Sequence, residues 1–295
     1  MKLFVTGATG FVGTVVVQEL IKAGHQVTGL ARSDEAEQKL QTAGVAVHRG
    51  SLEDTDCLRQ AARAADGMIH LGFIHDFANY AASAEIDRQA IVAMGSELEG
   101  TNKPIVLTSG ALLLTPGKIG IETDRIAAHS SRHSEAAADQ LLERGVHASV
   151  VRLAPTVHGE GDHGFMYTLI ELARSKGFSA YVGDGNNRWS ALHRLDAAVL
   201  FRKAVEQAAA GSRLHGVAEG SIPFKQIAEM IGRQLNVPVI SIAAEQAAAH
   251  FGWIHFAAAA DKPIANDLTR QWLDWQPSHP GLMDDLEAGH YFQRK

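Results

Sequence analysis

The sequence predicts a doubly wound α/β fold, a parallel sheet with helices on both faces, and three observations predict it. Short apolar runs alternate with longer helix-patterned stretches, the first run ends in a glycine-rich turn that opens into a helix, and no internal repeat or low-complexity stretch breaks the alternation. Alternation at this spacing builds parallel strands joined by crossover helices.

Residues 3–5 form the first strand and 15–23 the helix after it. A second strand follows over 26–30, a polar helix over 34–41, a third strand over 45–47 and a helix over 55–64. A fourth strand over 67–73 leads to a long helix over 81–98. A fifth strand over 104–108, a helix over 134–144 and a sixth strand over 147–153 complete the alternation, and a further helix is expected over 165–175. Ligands of such a sheet sit beyond the carboxyl ends of its strands.

The most informative stretch is Thr6-Gly7-Ala8-Thr9-Gly10-Phe11-Val12-Gly13. A strand, a glycine-rich turn and a helix N-terminus in that order suit a dinucleotide diphosphate, because free backbone N–H groups and the helix dipole both favour an anion. Gly7 permits the turn, Gly10 lets the diphosphate approach the backbone, and Gly13 lets helix and strand pack closely. A tight turn that merely joins strand to helix is the alternative.

Which dinucleotide is preferred turns on the end of the second strand. An acid there grips the ribose hydroxyls of NAD, whereas an arginine favours the 2′-phosphate of NADP. The residues are Leu30-Ala31-Arg32-Ser33. Arg32 and Ser33 offer a bidentate guanidinium and a hydroxyl, which points to NADP(H) and leaves NAD(H) as the second choice. Arg32 as a solvated residue opening the next helix is the competing role.

Composition sets limits. The chain has 295 residues, 46% of them hydrophobic, enough for one large domain or two smaller ones. A net charge of -6 with scattered Lys and Arg gives no footprint for nucleic acid. The one cysteine, Cys57, forms no internal disulfide and suits a reducing compartment; on a helix it reads as packing. With no basic and apolar leader before the first strand and no apolar run of membrane length, a cytoplasmic protein without a membrane partner is expected.

These residues resemble the extended short-chain dehydrogenase/reductase family, also called the NAD-dependent epimerase/dehydratase family. The resemblance rests on the glycine stretch, Gly50-Ser51-Leu52-Glu53-Asp54, His70-Leu71-Gly72, Thr108-Ser109 and Val151 through Gly159. It continues in Val182-Gly183-Asp184-Gly185, His193-Arg194-Leu195-Asp196 and Trp272 through Pro277, and so covers nearly the whole chain. It implies a Rossmann-like NAD(P)-binding domain over 1–158 and 182–215, interleaved with a smaller α/β substrate domain over 159–181 and 216–295. It also implies that Ser51, Leu52, Leu71, Gly72, Thr108, Pro155, Thr156 and Val157 join the glycine turn, Arg32 and Ser33 in holding the cofactor. A homodimer through the helices over 81–98 and 134–144 is implied by resemblance alone.

The catalytic motif departs from the family. Its usual engine is a tyrosine followed four residues later by a lysine, which lowers the tyrosine pKa. Alignment without gaps puts Ser131 and Glu135 at those positions, and no Tyr-x-x-x-Lys occurs elsewhere in the chain. Serine has too high a pKa and glutamate the wrong charge. The chain therefore resembles the atypical members of the family.

Other groups could replace the tyrosine. Ser109 matches the family's substrate-binding serine or threonine, with turn capping as its plainer role. Among 15 histidines, His75 beside Asp76, His129, His133, His158 and His163 fall where the cleft would lie. Ser109, Ser131, His133 and Tyr167 are the candidate catalytic residues, each also open to a structural role. His158, Asp162 and His163 are of ligand type but lack the spacing of a metal site, and no metal is expected. Arg188, Trp189 and His250-Phe251-Gly252-Trp253 either grip substrate or close the two domains on each other.

The expected function is NADPH-linked reduction of a small organic carbonyl substrate by an oxidoreductase. A cofactor-binding sensor that has lost catalysis is the alternative, and an epimerase/dehydratase-like isomerase or lyase ranks third.

Overall fold

The computed structural model describes residues 1–76, 79–126 and 130–293. Its first half alternates strand and helix: β1 (Lys2–Thr6), α1 (Phe11–Lys22), β2 (Gln26–Ala31), α2 (Asp34–Thr42), β3 (Ala46–Arg49), α3 (Thr55–Ala64), β4 (Gly67–His70), α4 (Tyr80–Ser96), β5 (Pro104–Gly110), α5 (Ser134–Glu143) and β6 (His147–Leu153). The second half holds β7 (Thr156–His158), α6 (Phe165–Lys176), β8 (Ser179–Val182), β9 (Arg188–His193), α7 (Arg194–Gln207), β10 (Arg213–Gly216), β11 (Glu219–Pro223), α8 (Phe224–Leu235) and β12 (Val239–Ile242). The short helices α9 (Ala247–Phe251), α10 (His255–Ala258), α11 (Asp267–Leu273) and α12 (Leu282–Glu287) follow.

Seven parallel strands form one sheet in the order β10-β6-β5-β4-β1-β2-β3. The chain winds outward from β1 through β3, then returns to lay β4 on the other side of β1. That reversal opens a crevice between the carboxyl ends of β1 and β4.

Alternating side chains of the sheet feed two cores. Val5, Ile69 and Val106 face α1 and α7, where they bury Val16, Leu20, Leu200 and Phe201; Phe4, Met68, Ile105 and Leu107 face the other way, onto Leu58, Ile91, Met94 and Leu141. A third core gathers Met166, Ile170, Trp189, Ile227, Ile231 and Phe251 around the two small sheets, β11-β9-β7 and β12-β8.

The differences from the sequence reading have local causes. The fourth strand stops at His70, short of residue 73, because Gly72 N–H leaves the ladder and donates to the Thr6 hydroxyl at 3.0 Å. The third strand runs over Ala46–Arg49, since Val45 N–H still closes the end of α2 on Leu40 O. Helix α1 starts at Phe11, four residues before the predicted start. Beyond β6, the segment Thr156–His158 pairs with β9 in a small sheet, outside the seven-stranded one. Cys57 is buried, donates to Arg49 O at 3.2 Å, and burial pushes its thiol up. No helix among the described residues is long and apolar enough to cross a membrane.

Candidate functional site

The glycine turn sits at the β1/β4 crevice, and its shape depends on missing side chains. Gly7 lies at φ +66°, and a Cβ there would meet Gly72 N at 2.7 Å. A Cβ on Gly13 would sit 2.0 Å from Gly7 O. The turn is closed by Gly10 N–H donating to Gly7 O at 3.0 Å. Helix α1 then begins with no side-chain cap and no acid in its first turn. Its leading N–H groups and positive dipole end thus lie at the carboxyl end of β1 beside Phe11, over which Arg194 stacks, an arrangement that fits a dinucleotide diphosphate. Gly7, Thr9, Gly10, Phe11, Val12 and Gly13 would hold that group.

The neighbouring strand ends carry the other residues that the resemblance assigns to the cofactor. Leu52, past β3, packs against Gly72, where a Cβ would meet the leucine methyls at 3.2 Å; Leu71 and half-buried Ser51 lie beside them in the chain. At the end of β2, Arg32 is exposed, and Ser33 caps α2 by accepting from Ala36 N–H at 3.2 Å. Thr108 is buried and donates to His70 O at 2.7 Å. Thr156 buries its hydroxyl without a protein partner, between Pro155 and half-buried Val157.

A buried chain of hydrogen bonds runs from this crevice to the start of α5. Thr6 Oγ accepts from Gly72 N–H and donates to His70 Nδ1 at 2.7 Å. His70 Nε2 then donates to Asp87 Oδ1 at 3.1 Å, and Ser134 Oγ donates to Asp87 Oδ2 at 2.6 Å. Arg132 completes it, with Nε donating to Ser134 Oγ at 2.9 Å and Nη2 to Thr108 O at 3.1 Å. The His70 ring is thus held between a hydroxyl at Nδ1 and a carboxylate at Nε2. Burial pushes the Asp87 carboxyl up, but His70, Arg132 and Ser134 outweigh it and hold the acid below the usual carboxylate range. The Arg132 guanidinium lies over Phe73, 4.3 Å from the ring centre, and the same ring touches His75 at 5.2 Å and Tyr80 at 5.6 Å.

Glu135 points into a separate buried network. Arg152, which is fully buried, grips it with two bonds of 2.9 and 2.8 Å, and Arg213 adds a third at 3.3 Å. Burial pushes the Glu135 carboxyl up, while Arg152, Ser109 and Arg213 hold it below its ordinary value. The remaining Arg152 donors go to the carbonyls of Glu122 and Asp124 and to His215 Nε2.

The other candidates scatter. Ser109 ends β5 on the α5 side, its hydroxyl buried without a well-formed bond. Ser131 is exposed, and His133 precedes α5 with its Nδ1 buried and unpartnered. Tyr167 faces outward from the first turn of α6, 41% exposed. His129 lies outside the described residues. His158 Nδ1 donates to Asp285 Oδ2 at 2.8 Å, Asp162 accepts from Tyr291 at 2.9 Å, and His163 packs edge-on to Phe11, so these three ligand-type side chains are spent on different partners. Arg188 is bidentate to Asp261 at 2.8 and 2.7 Å, and fully buried Trp189 donates to Ala257 O. These two close the small sheet on α10 and the residues that follow it. Trp253 is 42% exposed, while Phe251 is buried.

Sequence reasoning missed Arg132, Asp87 and the Thr6–His70 pair. A readable signal existed at Asp87, an acid on the apolar stripe of α4 with Ala84, Ala90, Ile91 and Met94. A carboxylate there requires buried partners.

Comparison with known proteins places this geometry. A profile of the NAD dependent epimerase/dehydratase family matches residues 3–98. An uncharacterised protein of Schizosaccharomyces pombe is 45% identical over 295 residues, covering 99% of this chain and 100% of the relative. The 2-alkyl-3-oxoalkanoate reductase of Stenotrophomonas maltophilia is 25% identical over 257 residues, 81% of this chain and 77% of its own. Among solved structures, the human epimerase family protein SDR39U1 with NADPH superposes with a TM-score of 0.75 at 18% identity, covering 99% of this chain and 100% of that one.

Proposed function

We propose that this chain, whose residues 3–98 match the NAD dependent epimerase/dehydratase family, is an NADPH-linked reductase of a small organic carbonyl compound. The observation that carries the reading is the cradle at the β1/β4 crevice, where Gly7 and Gly13 leave no room for a Cβ and α1 begins uncapped at the carboxyl end of β1. Reduction is favoured over isomerisation by the oxoalkanoate reductase among the relatives. When bound, the cofactor supplies hydride; the residues of this chain bind it, orient the carbonyl and supply the proton.

Preference for NADPH rests on Arg32. Its exposed guanidinium ends β2 beside the Ser33 hydroxyl, the position that meets the 2′ oxygen of the adenine ribose in a doubly wound site. Titration calorimetry on nucleotide-free protein tests both points. Wild type binds NADPH more tightly than NADH, and Arg32→Ala weakens NADPH by about tenfold or more while leaving NADH within about threefold. Equal losses for the two nucleotides would remove the 2′-phosphate role. Turnover is then read as loss of reduced-nicotinamide absorbance across a panel of ketones and aldehydes.

The Glu135–Arg152 bridge favours a second reading, a nucleotide-binding sensor without catalysis, since it commits the position that would carry the lysine. Tight NADPH binding with no turnover on any carbonyl would select it.

A further inference from the structure

We propose that Arg132 and Tyr80, joined across the ring of Phe73, form the catalytic pair of this cleft, with Arg132 holding the negative charge that develops on a substrate carbonyl oxygen and Tyr80 delivering the proton. The inference rests on the reductase reading above and adds the groups that perform the acid half of it. Carbonyl reduction needs a fixed positive group at the oxygen and a proton donor within reach.

Arg132 meets the first need. It stands at the carboxyl edge of β5, one strand from the glycine cradle, and its guanidinium is fixed from three sides by Thr108 O, Ser134 Oγ and Phe73. Two of its five N–H groups are used in those bonds, and among the described residues no bond is formed by Nη1. Among the hydrogen bonds of the described residues Arg132 has no direct carboxylate partner: Asp87 is bonded to the Ser134 hydroxyl and to His70. The buried chain back to Thr6 ties this cation to the strand that carries the glycine turn, so cofactor and guanidinium are held by one rigid unit.

Tyr80 meets the second. It opens α4, half-buried, with its ring tilted against Phe73. Two charged groups bear on it, Arg132 favouring the phenolate and Asp87 opposing it, while the His75 imidazole, its pKa lowered by burial and Arg132, shares the Phe73 ring. Burial outweighs Arg132 and keeps the phenol above its ordinary value, so the proton is present at neutral pH. A bound reduced nicotinamide would supply hydride to the carbonyl carbon, and Arg132 would hold the oxygen as the π pair moves onto it. The Tyr80 O–H breaks to form the alcohol O–H, and the phenolate regains its proton from water.

The test combines kinetics with ring-carbon NMR of the tyrosines, assigned with Tyr80→Phe. Arg132→Gln should lower kcat about 100-fold or more, leave NADPH affinity within about threefold, and raise the titration of Tyr80. Arg132→Lys keeps the charge and should recover part of kcat and most of the titration shift, which guards against a folding defect in the glutamine variant. Tyr80→Phe should lower kcat about 100-fold with little change in KM. Wild-type kcat in Tyr80→Phe, or a Tyr80 titration indifferent to Arg132→Gln, would overturn the pair. Failure of wild type to bind NADPH would instead remove the reductase reading, and the Tyr80 titration would still decide whether the two groups are coupled.

Discussion

Gly13→Ala is expected to abolish useful nucleotide binding, weakening NADPH by about 100-fold or more, and to lower stability by about 2–4 kcal/mol. The added methyl would stand 2.0 Å from Gly7 O and 2.8 Å from Gly7 C, both backbone atoms. No side chain can rotate away, so either α1 withdraws from β1 or the turn opens. Each response moves the leading N–H groups of α1 off the diphosphate position. Gly24→Ala is the matched control. Gly24 lies at φ +86°, with nothing within 4 Å of its Cβ position. It should cost about 1 kcal/mol of backbone strain and leave nucleotide affinity unchanged. Calorimetry with NADPH and thermal denaturation of the two variants check the pair. If Gly13→Ala bound NADPH like wild type, the cradle would not be where the nucleotide sits.

The contrast between these two glycines explains what could be read from the sequence. A turn such as residues 6–13 is specified within eight neighbouring residues, and the strand–helix alternation repeats at short range, so the seven-stranded sheet was legible. Strand ends were not, because they depend on competing partners: Gly72 N–H goes to the Thr6 side chain, 66 residues away in sequence. The interior of the cleft was hidden for the same reason. Thr6, His70, Asp87 and Ser134 are joined by bonds spanning 64, 17 and 47 residues, and no short motif records them. Ungapped alignment directed attention to Ser131 and Glu135. The residues between them that enter the cleft network are Arg132 and Ser134, whereas Ser131 is exposed and Glu135 turns to Arg152. Asp87 alone could have warned of this, since an acid on a buried helix stripe has to be answered by hydrogen-bond donors elsewhere in the chain.

That turn of Glu135 makes the reverse experiment informative. Installing the family's pair as Ser131→Tyr with Glu135→Lys should destabilise the fold and restore no activity, because the lysine would enter a pocket already holding the guanidinium groups of Arg152 and Arg213. Arg152→Leu isolates the energetic part. It leaves Glu135 with Arg213 alone and strips the donors from Glu122 O, Asp124 O and His215, so a loss of about 3–5 kcal/mol is expected, with a Tm fall of about 10 °C. The acid dependence carries the same signature with a fixed sign. Because Glu135 has its folded-state pKa held below the unfolded value near 4.3, it contributes stability above that pH and loses it as pH falls through the folded value. Thermal melts from neutral pH into the acid range should therefore fall less steeply in Glu135→Gln and in Arg152→Leu than in wild type. An Arg152→Leu protein as stable as wild type at neutral pH, with an unchanged acid limb, would show that the bridge is not what occupies Glu135, and the lysine position would again be open to catalysis.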